Sequence, residues 1–285
     1  MERYTIADFN KEYPNDNTCL EWLKNHLYPN GIFCVKCGRV TKHHKVISRP
    51  SYSCDNCGHH FHPTVGTIFE KSTTPLKLWF HAVYLMSSTR CGISAKQIQR
   101  ETGVTYKTAW RMFKQIRSLL CDDFNHLTGE VEVDETYVGG TRQGKRGRGA
   151  EGKSKVLGAV QRNGKVVAEV VPDVKRHTLV PFMVNKVDRN ATLYTDTFPS
   201  YDHIARFGIK HLRINHHDKE YVRGNVHTNN IEGFWSLVKR GISGVYHSVS
   251  PKYLQSYINE YSFRYNHRKD ETPMFKTILQ RVVTS

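Results

Sequence analysis

The sequence predicts an α+β chain of several domains: a small metal-stapled ribbon, then a helix-turn-helix, then an α/β domain on a mixed sheet. Three observations predict this. Two CxxC pairs, Cys34 with Cys37 and Cys54 with Cys57, stand 16 residues apart early in the chain. Apolar residues then recur at helical spacing from about residue 75 to residue 120. Beyond that, strand-like alternating runs are interleaved with helical ones, beginning with the acidic stretch GEVEVDETYVGG.

Length and charge narrow the classes. At 285 residues the chain has room for two or so domains and at least one sizeable core. No run approaches the roughly 18 apolar residues of a membrane span, and MERYTIADFNKEYPND lacks the apolar centre of a signal peptide. The expected location is the cytoplasm of a prokaryotic cell, beside its nucleoid, with no membrane partner. A surplus of 42 Lys and Arg over 26 Asp and Glu, net +16, favours a polyanionic partner, and nucleic acid is the commonest. The basic residues are spread through segments that also look folded, which counts against a polybasic membrane tether.

Taken in order, residues 1–70 form the first expected domain. Phe9, Tyr13, Cys19, Leu20, Trp22, Leu23 and Leu27 read as a helix leading into Pro29. The ribbon follows over about 31–64. Thiolates two residues apart on a turn can both face one tetrahedral Zn²⁺, so Cys34, Cys37, Cys54 and Cys57 are read as a structural zinc site. Gly38 and Gly58, each directly after a second cysteine, supply the open backbone such knuckles need. So small a core, with Tyr52 and Phe61 as its aromatics, needs the metal.

Residues 71–125 are the second expected domain. Leu76, Trp79, Phe80, Val83, Tyr84 and Met86 form a wide helical stripe. Ser94 can cap a short helix with Ile98 inward, Thr102 and Gly103 make a turn, and Thr105 opens a second helix. In that helix Ala109, Trp110, Phe113 and Ile116 face inward. Two helices joined by a short turn containing Gly describe a helix-turn-helix. Its outward positions, Tyr106, Lys107, Arg111, Lys114 and Arg117, are the candidates for a DNA groove and its phosphates.

Residues 126–285 are the third. In the acidic stretch Val131 and Val133 alternate with Glu132 and Asp134, a strand with one apolar and one acidic face, while Glu135 points away. Four carboxylates within six residues repel one another unless they are solvated or face a cation, and Mg²⁺ takes such oxygens. The following TRQGKRGRGAEGKSK carries Arg142, Lys145, Arg146 and Arg148; its composition fits a phosphate-holding loop or a disordered insertion equally. Two strands, 156–160 and 165–171, join at Asn163 and Gly164 as a hairpin. A helix over 177–187, a strand over 191–195 ending at Asp196, a short helix after Pro199 and a strand over 210–215 come next. That order of elements is the ribonuclease H-like one.

In that topology Asp134 and Asp196 converge although 62 positions separate them. A third acid is expected from the helix of residues 228–240, and Glu232 lies 36 positions after Asp196. Glu232 can equally close a capping box with Asn229 as N-cap. The stretches VDETYVGG, LYTD and HTNNIEGFWSLVKRGI, with YHSVSPKYLQSYINEYSFRYNHR, resemble those of DDE-type insertion-sequence transposases that carry an N-terminal zinc ribbon. The resemblance spans nearly the whole chain. It implies Asp134, Asp196 and Glu232 as the catalytic acids holding magnesium, or manganese in its place, and Lys239 as the associated basic residue. Some relatives place asparagine third, which keeps Asn229 and Asn230 in view. It further implies cleavage and strand transfer at terminal inverted repeats, with double-stranded transposon ends and target DNA as partners of at least a dimer. Two rival readings use the same architecture: a DNA-binding regulator without catalysis, and a nuclease with water as its only nucleophile.

Overall fold

The computed structural model describes residues 4–122, 126–139, 152–202, 204–214 and 227–283. They fall into two compact units, residues 1–119 with 270–285 and residues 120–269. Among the described residues no helix is long and apolar enough to cross a membrane.

In the first unit the N-terminal segment makes two helices where the apolar pattern suggested one, α1 (Ile6–Glu12) and α2 (Asp16–Leu27). Pro14 is the cause, because a proline drives the residue before it out of helical conformation. Tyr13 ends α1, and Asn15 restarts the helix by accepting from the Asn17 and Thr18 amides. The ribbon consists of a hairpin, β1 (Ile32–Cys34) with β2 (Arg39–Thr41), and a three-stranded sheet of β3 (His43–Lys45), β4 (Tyr52–Cys54) and β5 (His60–Phe61). Gly38 and Gly58 turn its knuckles at φ 67° and 69°, a left-handed conformation that costs other residues roughly 1–2 kcal/mol.

Helix α3 (Leu76–Ser88) buries Leu76, Trp79, Phe80, Val83 and Met86, the expected stripe. Helix α4 (Ala95–Thr102) starts where the Ser94 hydroxyl accepts from the Gln97 amide and stops at Gly103, φ 71°. Thr105 caps α5 (Tyr106–Ser118) through the Thr108 amide. The helix-turn-helix pattern therefore forms with the caps its sequence carries. The last helix, α9 (Met274–Leu279), was expected with the third domain. It belongs instead to this first unit, where Phe275 packs among the rings of Tyr4, Phe9, Tyr13 and Tyr84. The ribbon and the helix-turn-helix likewise share one unit rather than forming two.

The second unit is built on a five-stranded sheet of β6 (Glu130–Val138), β7 (Ser154–Gln161), β8 (Val166–Val171), β9 (Thr192–Asp196) and β10 (Lys210–Ile214). The spatial order is β10-β9-β6-β7-β8. Strands β6 to β8 form an antiparallel meander, and β9 and β10 run parallel to β6, which is the ribonuclease H-like arrangement. The hairpin turn uses Asn163 rather than Gly164 as its left-handed residue, φ 59°. Helix α6 (Arg176–Lys186) covers one face, where Leu179 and Met183 pack on Val131, Val133, Leu157 and Leu193. Helices α7 (Asn229–Gly241) and α8 (Pro251–Asn266) cover the other through Phe234, Trp235, Val238, Leu254 and Ile258. Where a short helix was expected after Pro199, two separate 3₁₀ turns form, Pro199–Tyr201 and Ile204–Phe207.

Candidate active site and metal centres

The cysteines lie on the two knuckles, and their four sulfurs all fall within 4.8 Å of one another. Cys34 and Cys57 are 3.6 Å apart, Cys37 and Cys54 3.8 Å. Tetrahedral zinc with bonds of about 2.3 Å sets its sulfurs about 3.8 Å apart, so the set fits one structural Zn²⁺. The Thr41 hydroxyl lies 3.2 Å from the Cys54 sulfur and pulls that thiol down to about 6, toward the thiolate a metal needs. The neighbouring histidines 43, 44, 59, 60 and 62 stay outside this group.

The acids are placed by strand register. Glu130 lies opposite Thr192 and Glu132 opposite Tyr194, where the β6–β9 pairing ends. Beyond that point Asp134 continues along β6 and Asp196 ends β9, and the two acids stand near enough for the charge of Asp196 to act on Asp134. Asp196 accepts the Phe198 amide at 2.8 Å. Glu232 is exposed on the first turn of α7 and accepts the Thr228 hydroxyl at 2.9 Å. Burial, then the charges of Glu135, Asp196 and Glu232, push the Asp134 carboxyl up to about 8. Asp134 thus feels charge from the end of β9 and from the first turn of α7. Among the described residues, only the cysteines are gathered within 4.8 Å as a group of potential ligands. Carboxylate oxygens are the ligands that hard divalent ions take. Lys239 is exposed two turns beyond Glu232 on the same helix.

Part of that burial has a visible source. Gly158 lies opposite Asp134, and the Trp235 ring stands 2.6 Å from where a Cβ at 158 would be. The indole therefore fills the space beside Asp134 that a side chain would take. Glu135 faces the other way, as expected, and accepts the Tyr201 hydroxyl at 2.6 Å.

The capping box of Asn229 with Glu232 does not form. Thr228 is the N-cap, Asn229 is the first helical residue and Glu232 bonds the Thr228 side chain. Asn230 turns its side chain to Glu132, at 2.8 Å, and Asn229 is exposed. Glu132 itself is fully buried and bonded to Arg162 at 2.7 Å, a pairing the sequence reading missed. The available signal was the excess of acid on one strand face, with Arg162 beside the Asn163–Gly164 turn of the same sheet.

The DNA-facing candidates of α5 divide. Tyr106, Lys107 and Lys114 are exposed, with the Lys96 ammonium 4.7 Å from the Tyr106 ring. Arg111 is half-buried and donates to the carbonyls of Glu70 and Lys71 at 2.7 and 3.3 Å. Arg117 is 3% exposed, its guanidinium 3.6 Å from the Phe113 ring centre. Its outward assignment is corrected: Arg117 follows Phe113 by four residues and so falls on the inner stripe. Arg142, Lys145, Arg146 and Arg148 lie outside the described residues.

Comparison with known proteins agrees with this layout. Residues 126–266 match the ISXO2-like transposase domain, and residues 14–60 match a transposase zinc-ribbon domain. A Halobacterium salinarum protein, described as an uncharacterized protein in transposable element ISH50, is 30% identical over 295 residues, spanning 95% of this chain and 98% of its own. A Haemophilus influenzae "uncharacterized transposase-like protein" is 31% identical over 119 residues, 42% of this chain and 94% of its own. Among solved structures, a chain of the pre-cleavage Mos1 transpososome aligns at TM-score 0.31 and 10% identity, covering 72% of this chain and 79% of that one, a likeness too slight to place residues by.

Proposed function

The chain belongs to the ISXO2-like transposase family, and from that premise we propose that it cleaves DNA at the terminal inverted repeats of an insertion sequence and joins the freed 3′ ends to target DNA. The observation that carries this reading is the strand order, with β6 and its Asp134 next to β9 and its terminal Asp196, and with α7, whose first turn carries Glu232, packed on the same sheet. On this reading, Asp134, Asp196 and Glu232 would hold two magnesium ions, for which manganese can substitute, and Lys239 would steady a nearby phosphate. When bound, such ions supply Lewis acidity and an activated nucleophile to in-line phosphoryl transfer. Asp134 must give up its proton to join that set. Trp235 keeps bulk water from one side of Asp134.

Recognition of the ends falls to the ribbon and to the exposed Tyr106, Lys107 and Lys114 on α5. Holding two ends at once calls for at least two copies of the chain in the active complex. The test is strand transfer by purified protein with Mg²⁺ and a labelled, pre-cleaved end. Asp134→Ala should lose joining by at least about 10²-fold while still binding the end. Joining by Asp134→Ala at the wild-type rate would sink the scheme, and hydrolysis without joining by the wild type would make the protein a nuclease.

A further inference from the structure

Glu132 carries the buried charge that the proposed chemistry leaves unused. Its Oε1 accepts from Arg162 Nε at 2.7 Å and from Asn230 Nδ2 at 2.8 Å, and His227 Nδ1 stands 3.1 Å away. Its Oε2 accepts from the backbone amides of Asn230 and Ile231 at 2.8 and 3.1 Å. Those amides belong to the first turn of α7, where helical N–H groups have no partner of their own and the helix dipole is positive. Thr228, the N-cap, makes no side-chain cap bond. A carboxylate from a strand therefore does the capping.

Arg162 is held as firmly. Its guanidinium donates to the His227 carbonyl at 3.0 Å, lies 3.4 Å from Glu130 and sits 4.2 Å over the Tyr194 ring. The Tyr194 hydroxyl closes the network on Glu130 at 2.7 Å. Helix capping alone needs only a hydroxyl or amide at the N-cap, and a buried ion pair gives up the hydration of both charges. What this network adds is a link between elements. Glu132 precedes Asp134 by two residues on the same face of β6, and the amides it holds end at Ile231, next to Glu232.

We propose that Glu132, fixed by Arg162, is the positioning residue that clamps α7 onto β6 and so limits how far Glu232 can stand from Asp134 when both hold one divalent ion. The proposal rests on the reading of Asp134, Asp196 and Glu232 as the ion site, and its test avoids DNA chemistry. Mn²⁺ binding to the full chain is measured by calorimetry, and hydrogen exchange is followed at the α7 amides. The wild type should take up Mn²⁺ in a manner that Asp134→Ala abolishes. Glu132→Gln keeps the size but loses the charge. It should fold, bind Mn²⁺ at least about tenfold more weakly, and exchange faster at Asn230 and Ile231.

Asn230→Ala removes one contact and leaves the carboxylate on the helix amides, so it serves if Glu132→Gln does not fold. It should weaken Mn²⁺ binding about threefold, the smaller loss expected of one hydrogen bond. Either variant folded and binding Mn²⁺ as the wild type does would overturn the clamp. Absence of Asp134-dependent uptake in the wild type would overturn the ion site and the clamp together. Clamp-dependent uptake in a wild type that neither cuts nor joins DNA would overturn transposition and leave the clamp standing.

Discussion

Asp134 is where burial and charge meet. Its carboxyl is held up to about 8 from an ordinary 3.8, by burial and by the charges of Glu135, Asp196 and Glu232. A raised acid binds its proton more tightly folded than unfolded, so its burden on stability is absent below about pH 4, grows as pH rises, and is complete above about pH 8. In metal-free buffer the α/β unit should therefore lose stability across that window, on the order of a few kcal/mol. Asp134→Asn should flatten this slope, and Mg²⁺ should raise the melting temperature more at pH 8 than at pH 5, as thermal unfolding can read. A slope unchanged in Asp134→Asn would assign it to other groups. The same residue shows what was legible beforehand. Asp134 and Asp196 followed from period-two alternation and strand order, whereas the Glu132 pairing with Arg162 depends on a hairpin register that composition does not state.

At the scale of elements, α5 separates two kinds of basic residue. Lys107 and Lys114 are exposed, whereas Arg117 lies against the Phe113 ring in the core. If the exposed face holds DNA, Lys107→Ala and Lys114→Ala should each reduce the salt slope of end binding by about 1. Arg117→Ala should leave that slope alone and lower stability by roughly 1–2 kcal/mol through lost ring contact and packing. Titrating end binding against salt, beside thermal melts of each variant, distinguishes these outcomes. A salt slope reduced by Arg117→Ala would restore it to the DNA face. Ser94, Gly103 and Thr105 were readable because capping is local chemistry. The inward turn of Arg117 was readable too, four residues after the inward Phe113, but its charge argued for the outer face and its spacing decided otherwise.

At the scale of the whole molecule, the α/β unit is inserted between residues 119 and 270 of the other unit. The segment that returns is apolar where it packs: Phe275, Ile278, Leu279 and Val282 are buried, and the Ile68 amide donates to the Val282 carbonyl at 3.0 Å. A chain ending at residue 269 should therefore unfold its ribbon and helix-turn-helix unit at lower temperature while the α/β unit melts as before. Differential scanning calorimetry of the shortened chain tests this, and an unshifted first unit would refute it. No local pattern announced that return, because the partners of Phe275 lie more than 180 residues earlier in the chain. Translation gives the arrangement a direction in time. Domains generally fold N-terminal first as they leave the ribosome, but here the first unit waits for the segment that follows the α/β unit, in which Phe275, Ile278, Leu279 and Val282 are buried. The α/β unit has all of its residues by then, so the unit begun second can be completed first.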